Sequence, residues 1–251
     1  MGSEVNIDSY NIPYGTHPTI SSIDIFKNRI SDFRNSDVKK KSGLKKNNYF
    51  SPTTDAENKL LMDELNTLVG HRFDWAFEFH HSGEPANLHT DYATVPWDET
   101  TECQVVVGCI IPLAWNCHRH PYTVMYDKMT DVPRKMMFHK GNMVYQDNKE
   151  IFEYRQEFPM WDKRVMDHHP RGTEYFDTYG DLRWHSDYKW DKSTMVVFDT
   201  RRWHSSNWFT KAETVKEIQS EYKESIVGFG SIDVPRNLTC LLYTSPSPRD
   251  S

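Results

Sequence analysis

The sequence predicts a mainly β fold with flanking helices, in which a sandwich or barrel carries an insertion. Short runs rich in β-branched and aromatic residues predominate from Phe73 onward, and a long polar stretch at 127–193 interrupts them. The 251 residues suffice for one domain with a substantial core. We therefore expect an N-terminal extension with helices at 1–72 and a β domain at 73–239, with its insertion at about 127–193.

Helical patterns are concentrated before the β region. Leucines recur at helical spacing between Asp55 and Val69, and Gly70 follows as a stop signal. A shorter pattern predicts a helix from Ser22 to Phe33, and a helix-like stretch covers Ala212 to Tyr222.

Strand patterns account for most of the remaining apolar sequence. The predicted strands are Phe73–Phe79, Cys103–Leu113, Tyr122–Tyr126, Thr194–Phe198 and Ser225–Ile232. Pro112 is expected to close the second of them. A structureless loop as long as 127–193 would be unusual, so we expect this insertion to have structure of its own.

Composition narrows the function classes. The chain has 30 Lys and Arg against 36 Asp and Glu, for a net charge of −6, which disfavours a nucleic-acid binder that relies on phosphate contacts. It has no apolar run long enough to span a membrane and no secretory leader pattern, so a cytoplasmic protein is expected. Cys103, Cys109 and Cys117 form no CxxC pair and predict no disulfide framework.

The last twelve residues, 240–251, differ in character from the rest. The string CLLYTSPSPRDS resembles the translated adapter of a transposase-based sequencing library. We expect this tail to be non-native and the authentic chain to stop near Thr239.

Two His-x-Asp tripeptides are candidate metal ligands, His89-Thr90-Asp91 and His185-Ser186-Asp187. With 12 histidines and 36 acidic residues in the chain, about one or two such pairs arise by chance, so context must decide between them. In a strand, residues i and i+2 share one face, so either pair could offer an imidazole and a carboxylate to one cation.

The first pair has the better context. Strong strands follow it, and far downstream the run TMVVFDTRRWHSS delivers His204 just beyond a buried strand. Two histidines and one carboxylate form a facial triad that leaves coordination positions open and suits non-haem Fe(II). His185 lies too close to His204 along the chain for a sheet to come round between them.

These residues resemble the Fe(II)- and 2-oxoglutarate-dependent dioxygenases, particularly prolyl 4-hydroxylase-like members of the phage and environmental type. The resemblance covers roughly residues 73–233 and rests on LHTDY at 88–92 and VVFDTRRWHSS at 196–206. The family usually presents an Arg-x-Ser/Thr pair in its last core strand, and the comparable residues here are Lys223 and Ser225.

The resemblance implies a double-stranded β-helix, the jelly-roll architecture shared with cupins. It also implies that His89, Asp91 and His204 hold Fe(II), and that Lys223 and Ser225 bind the far carboxylate of 2-oxoglutarate. The expected reaction uses O2 to hydroxylate an unactivated carbon of a small-molecule or peptidyl substrate, releasing succinate and CO2. A carboxylate at position 91 is typical of hydroxylating rather than halogenating members.

Several alternatives remain open at the level of sequence. The distal ligand could be His139, His169 or His185, and Lys223 could be an exposed lysine at a helix end. Cys117-His118-Arg119-His120 could begin a zinc site, although no second ligand pair follows at suitable spacing. The domain could also be a non-catalytic, cupin-like binding module, or, less favoured, a nucleobase demethylase.

Overall fold

The computed structural model describes residues 7–26, 48–83, 85–86, 89–96, 101–139, 142–146, 183–207, 209–210 and 221–235. A 3-10 helix at Ile7–Tyr10 precedes the first strand, and one long helix, α1, covers Asp55–Val69. The strands are β1 (Gly15–Pro18), β2 (Asn48–Pro52), β3 (Asp74–Ser82), β4 (Ala93–Pro96), β5 (Thr101–Asn116), β6 (Tyr122–Met129), β7 (Arg134–His139), β8 (Asn142–Gln146), β9 (Trp184–Lys189), β10 (Thr194–Asp199), β11 (Arg202–Ser206) and β12 (Tyr222–Pro235).

Two mainly antiparallel sheets form the body of the domain. In the larger sheet, β3, β12, β5 and β10 are successive antiparallel neighbours, with β1, β2, β4, β7 and β8 extending it. The smaller sheet has the order β11-β6-β9 among the described strands, and residue 89 joins it by a bridge to β11. From β9 to β12 the chain alternates between the two sheets. That alternation makes the fold a double-stranded β-helix, as predicted.

The helix α1 packs on the outer face of the larger sheet. Leu61 and Leu65 are fully buried there, in one apolar cluster with Trp75 and Phe77 of β3. Asn66 fixes the packing: its amide oxygen accepts hydrogen bonds from the Phe73 backbone and the Trp75 indole, both at 2.9 Å, and its amide nitrogen donates to the Phe73 carbonyl.

Both ends of α1 are capped, and the C-terminal cap is the glycine that the sequence predicted. Thr54 and Glu57 form a reciprocal capping box at the N-terminus, and Gly70 ends the helix with φ 71° in the left-handed region. The predicted bounds of this helix are therefore confirmed. Of the shorter helix predicted from Ser22 to Phe33, residues 23–26 are helical and the remainder lies outside the described residues.

The inner face of the barrel has a smaller apolar core. Met125 of β6 packs there with Val196 and Phe198 of β10, and Tyr188 of β9 lies against them. Gly108 faces Phe198 so closely that a Cβ at position 108 would collide with the Phe198 ring. The absence of a side chain at position 108 therefore lets the Phe198 ring pack directly on β5.

Strand β5 does not end at Pro112, contrary to the sequence-based expectation. It continues to Asn116, and its pairing with β12 shifts register so that Ser225 lies opposite Pro112 and Glu224 opposite Ala114. Proline has no N–H to donate, and a bulge lets the strand pass it without breaking the sheet. The strand is therefore longer than predicted, and the bulge lies beside the predicted anchor residues.

The segment 127–193 is only partly described. Residues up to 129 belong to β6, β7 and β8 form a hairpin on the edge of β4, and β9 lies in the smaller sheet. The division of the chain into extension, β domain and insertion stays a prediction. Residues 212–220 of the expected helix Ala212–Tyr222 and the tail at 240–251 fall outside the described residues. The end of that helix was predicted wrongly, because Glu221 is not helical and Tyr222 begins β12.

The structure can be compared with two expectations from composition, one about the cysteines and one about membrane spans. Cys103, Cys109 and Cys117 are free thiols, as predicted. Among the described helices, none is long and apolar enough to cross a membrane.

Candidate metal centre

Backbone hydrogen bonds bring the first His-x-Asp pair to the distal histidine. His89 and His204 form an isolated antiparallel bridge, in which each N–H donates to the other's carbonyl at 2.9 and 2.8 Å. Two residues later, the N–H groups of Asp91 and Tyr92 both donate to the carbonyl of Thr200. The segment that contains the pair is therefore held along the β10–β11 turn and the start of β11.

The three side chains converge at this bridge. A carboxylate oxygen of Asp91 lies 3.2 Å from His204 Nε2, and the other lies 3.6 Å from His89 Nε2. The two imidazole centroids are 4.2 Å apart, and one ligand atom from each residue lies within 4.8 Å of the others. Among the residues that the structure describes, this is the only group of three or more His, Cys, Asp or Glu close enough to share an ion.

The ring of His204 is held in one orientation. Its Nδ1 lies 3.0 Å from the Arg202 carbonyl, and its Nε2 is directed at the Asp91 carboxylate, so an Nδ1–H that donates to this carbonyl is the tautomer that offers Nε2 to a metal. The Phe198 ring packs 4.9 Å from the imidazole, centroid to centroid. A neutral imidazole with a free Nε2 is the form that binds a metal.

Electrostatics favour an ionised carboxylate at the centre. Burial alone would raise the pKa of Asp91, but the imidazole of His204 beside it, and then His89 and Arg134, hold that pKa well below its usual range. Asp91 and His204 are buried, with 8% and 4% exposure, whereas His89 is only half-buried. The donor set is one anionic oxygen and two imidazole nitrogens, which fits a divalent transition metal with positions left open.

A cavity of about 120 Å³ adjoins the three residues. Its walls include Lys223 and Ser225 of β12, Thr123 of β6, Ile110 of β5 and Trp190. Lys223 and Ser225 are two residues apart on β12, and both side chains line the cavity on the inner face of the barrel. The predicted anchor residues and the predicted metal ligands thus border one cavity.

Lys223 is buried among aromatic rings. It is only 7% exposed, and its ammonium lies 4.6 Å from the ring centroid of Trp190 and 5.3 Å from that of Phe209. Burial lowers the pKa of Lys223 to about 7. The alternative of an exposed lysine at a helix end is wrong, because β12 begins at Tyr222 and turns this side chain inward.

The second His-x-Asp pair lies elsewhere. His185 is exposed on β9, and neither His185 nor Asp187 belongs to the cluster of candidate ligands. His139 ends β7, and His169 lies outside the described residues.

The Cys117–His120 segment has structural contacts instead of a ligand geometry. The Cys117 thiol donates to the Tyr222 carbonyl, and burial raises its pKa to about 12, so it is not a thiolate. The His120 Nε2 lies 2.6 Å from the Trp190 carbonyl. These contacts hold the β5–β6 turn against the strands around the cavity.

Sequence reasoning missed the residues that surround Lys223 and those that support Asp91. Trp190 and Phe209 carry no spacing signal that would associate them with Lys223, since both lie in irregular segments. Arg134, whose guanidinium donates to the Thr90 carbonyl at 3.0 Å, lies within the segment interpreted as an insertion. Only the packing of the strands brings these side chains to the site.

Comparisons with known proteins give similarities to solved structures only. HygX from Streptomyces hygroscopicus with nickel and 2-oxoglutarate bound aligns at 9% identity and TM-score 0.45, over 87% of this chain and 82% of that chain. The iron-bound form of HygX aligns at 10% identity and TM-score 0.44, with the same coverage. A 2OG-Fe(II) oxygenase family oxidoreductase from Burkholderia pseudomallei aligns at 10% identity and TM-score 0.38, over 92% of each chain. No protein-family model and no curated protein matches the sequence.

Proposed function

We propose that this protein is an Fe(II)- and 2-oxoglutarate-dependent oxygenase that hydroxylates an unactivated C–H bond. The observation that carries the proposal is the convergence of His89, Asp91 and His204 beside a cavity that also contains a buried lysine. A ferrous ion bound there would supply the activation of O2. One oxygen atom of O2 would enter the substrate as a hydroxyl group, and the other would enter succinate at the former keto carbon of 2-oxoglutarate, while the adjacent carboxylate carbon would leave as CO2.

Residues of the chain have separable roles in this proposal. The two imidazoles and the carboxylate hold the metal on one side and leave its other positions to ligands. Lys223 and Ser225 bind the distal carboxylate of 2-oxoglutarate, because the ammonium supplies charge and the hydroxyl supplies a hydrogen bond. Ile110 and Trp190 line the same cavity with apolar surface, and a less polar surrounding strengthens that charge pairing.

The proposal leaves two broad classes of substrate. A small molecule or a peptidyl side chain fits the proposal, and a prolyl 4-hydroxylase-like member of the family is our working hypothesis. A nucleic-acid substrate is disfavoured by the net charge of −6. A cytoplasmic location remains a prediction of the sequence.

The decisive experiment compares the two His-x-Asp pairs. Anaerobic addition of Fe(II) and 2-oxoglutarate to the wild type should give a weak visible charge-transfer band, and O2 should then release succinate. His89→Ala and Asp91→Ala should each abolish the band and the succinate, because each removes a ligand. His185→Ala and Asp187→Ala are matched controls that should retain both signals.

The outcomes separate the competing functions. Equal loss from both pairs would mean that the wrong ligands have been identified. A folded wild type without the band would overturn the proposed function. A band without succinate, tested over a panel of small-molecule and peptide substrates, would instead support a non-catalytic binding module.

A further inference from the structure

Arg134 approaches the metal centre from outside the barrel strands that hold the ligands. It is the first residue of β7, which pairs in parallel with β4 at the Ala93–Arg134 position. The residue is only 7% exposed. A guanidinium is costly to bury unless hydrogen bonds and negative charge compensate it, so its surroundings indicate what it does there.

Two hydrogen bonds from Arg134 bracket Asp91 along the chain. The guanidinium donates to the carbonyl of Thr90 at 3.0 Å, and the backbone N–H of Arg134 donates to the carbonyl of Tyr92 at 2.9 Å. From the opposite side, the backbone N–H of Asp91 donates to the carbonyl of Thr200 at 3.0 Å. The backbone on both sides of the carboxylate residue is therefore fixed by β7 and by the β10–β11 turn together.

The charge of Arg134 also acts at this position. The guanidinium donates to the carbonyl of Thr90, the residue before Asp91, and so places a positive charge beside the candidate ligands. A cation near a metal site opposes metal binding by repulsion, whereas a fixed ligand segment favours it. These two effects have opposite signs, which makes the residue's net role measurable.

We propose that Arg134 is a positioning residue of the metal centre, which holds the Thr90–Tyr92 segment so that the Asp91 carboxylate faces the two imidazoles. The inference rests on the proposed metal site. It assigns to the β7–β8 hairpin, within the predicted insertion, a direct part in building that site. The proposal requires that the tether, made by the hydrogen bond to the Thr90 carbonyl, outweigh the repulsion between the guanidinium and the metal.

The test measures metal affinity without turnover. Purified full-length protein is titrated anaerobically with Co(II), and the dissociation constant and the ligand-field absorption spectrum are recorded. Groups that orient metal ligands typically contribute a factor of about 10–100 to affinity. Arg134→Met should therefore weaken Co(II) binding about tenfold or more and alter the spectrum, and Arg134→Lys should restore part of the affinity.

Lys135→Met is the matched control. Lys135 is the next residue of β7 and is exposed, so this substitution removes the same charge without touching the ligand segment. It should leave the affinity and the spectrum unchanged. Thermal unfolding of each variant establishes that the fold is retained.

Each outcome decides one question. Unchanged Co(II) binding by Arg134→Met would mean that neither effect dominates, and tighter binding would mean that repulsion dominates. Either result would overturn the inference. If Arg134→Met does not fold, Arg134→Lys decides: a resolvable rise in the dissociation constant supports the tether, and an unchanged constant overturns it. Failure of the wild type to bind Co(II) would instead be a failure of the proposed metal site.

Discussion

Lys223 combines features that rarely occur together in a lysine. Its ammonium is buried among aromatic rings beside a cavity, and burial lowers its pKa from the ordinary 10.5 to about 7. Between these two values the unfolded chain binds more protons than the folded one, so the contribution of Lys223 to stability rises with pH across that window. A bound carboxylate favours the ammonium, so ligand binding and protonation of Lys223 support each other.

This coupling predicts a pH-dependent affinity for 2-oxoglutarate. Below about pH 7 the free protein has a charged Lys223, and above it binding requires proton uptake. The dissociation constant should therefore rise above pH 7, with a slope approaching about tenfold per pH unit. Anaerobic titration of the charge-transfer band at a series of pH values measures this slope.

Lysine variants provide the comparison. Lys223→Arg should flatten the profile because arginine stays charged, and Lys223→Ala should weaken 2-oxoglutarate binding at neutral pH. Lys192→Arg should keep the wild-type slope, since Lys192 is exposed although it lies 5.5 Å from the Trp115 ring. A wild-type slope in Lys223→Arg would assign the co-substrate anchor to another group.

At the scale of elements, the helix α1 packs against strand β3 on the outer face of the larger sheet. Apolar contacts hold them together, but these contacts alone permit sliding along the strand. Asn66 removes that freedom through its three hydrogen bonds to Phe73 and Trp75. A partly buried polar side chain thus fixes the alignment of an otherwise apolar interface.

Asn66→Ala should lower the free energy of unfolding by about 2–3 kcal/mol, because three hydrogen bonds are lost and buried partners are left unsatisfied. Chemical denaturation followed by tryptophan fluorescence measures the change. Thr67→Ala, at the next and more exposed position, removes only a hydrogen bond to the carbonyl of Asp63 and should cost well under 1 kcal/mol. Equal effects from the two variants would contradict a special role for Asn66.

Sequence patterns anticipated the elements that depend on local chemistry. The bounds of α1 were predicted from leucine spacing and a terminal glycine, and the main apolar strands from runs of β-branched residues. The bulge at Pro112 was missed, because a bulge depends on what the neighbouring strand does opposite the proline. Strand β9 was missed because its residues are half polar and it forms a strand through pairing with β6.

At the scale of the whole molecule, the candidate ligands come from distant parts of the sequence. Sequence reasoning could propose His89, Asp91 and His204 from strand alternation and from the resemblance, and the structure places them together. No sequence pattern indicated Arg134, Trp190 or Phe209, because their positions depend on strand pairing and packing. Residues that contact the ligands through space have no fixed spacing from them in sequence.

Because the ligands converge only in the closed barrel, metal binding should stabilise the folded chain. A metal that binds the folded state alone adds about 2.7 kcal/mol at a hundredfold excess over its dissociation constant. For a chain of this size, Co(II) at that excess should raise the midpoint of thermal unfolding by about 5–10 °C. His204→Ala should lose the shift and His185→Ala should retain it, and a shift in both would indicate binding elsewhere.

The bridge between His89 and His204 is made by peptide groups, whereas the proposed metal ligands are the imidazole side chains. Replacing either histidine therefore removes a candidate ligand and leaves the backbone bridge between residues 89 and 204 intact. Side-chain changes at these two positions should therefore remove the proposed catalysis without changing the architecture. A descendant of this chain could thus become a binding scaffold without any rearrangement of its strands.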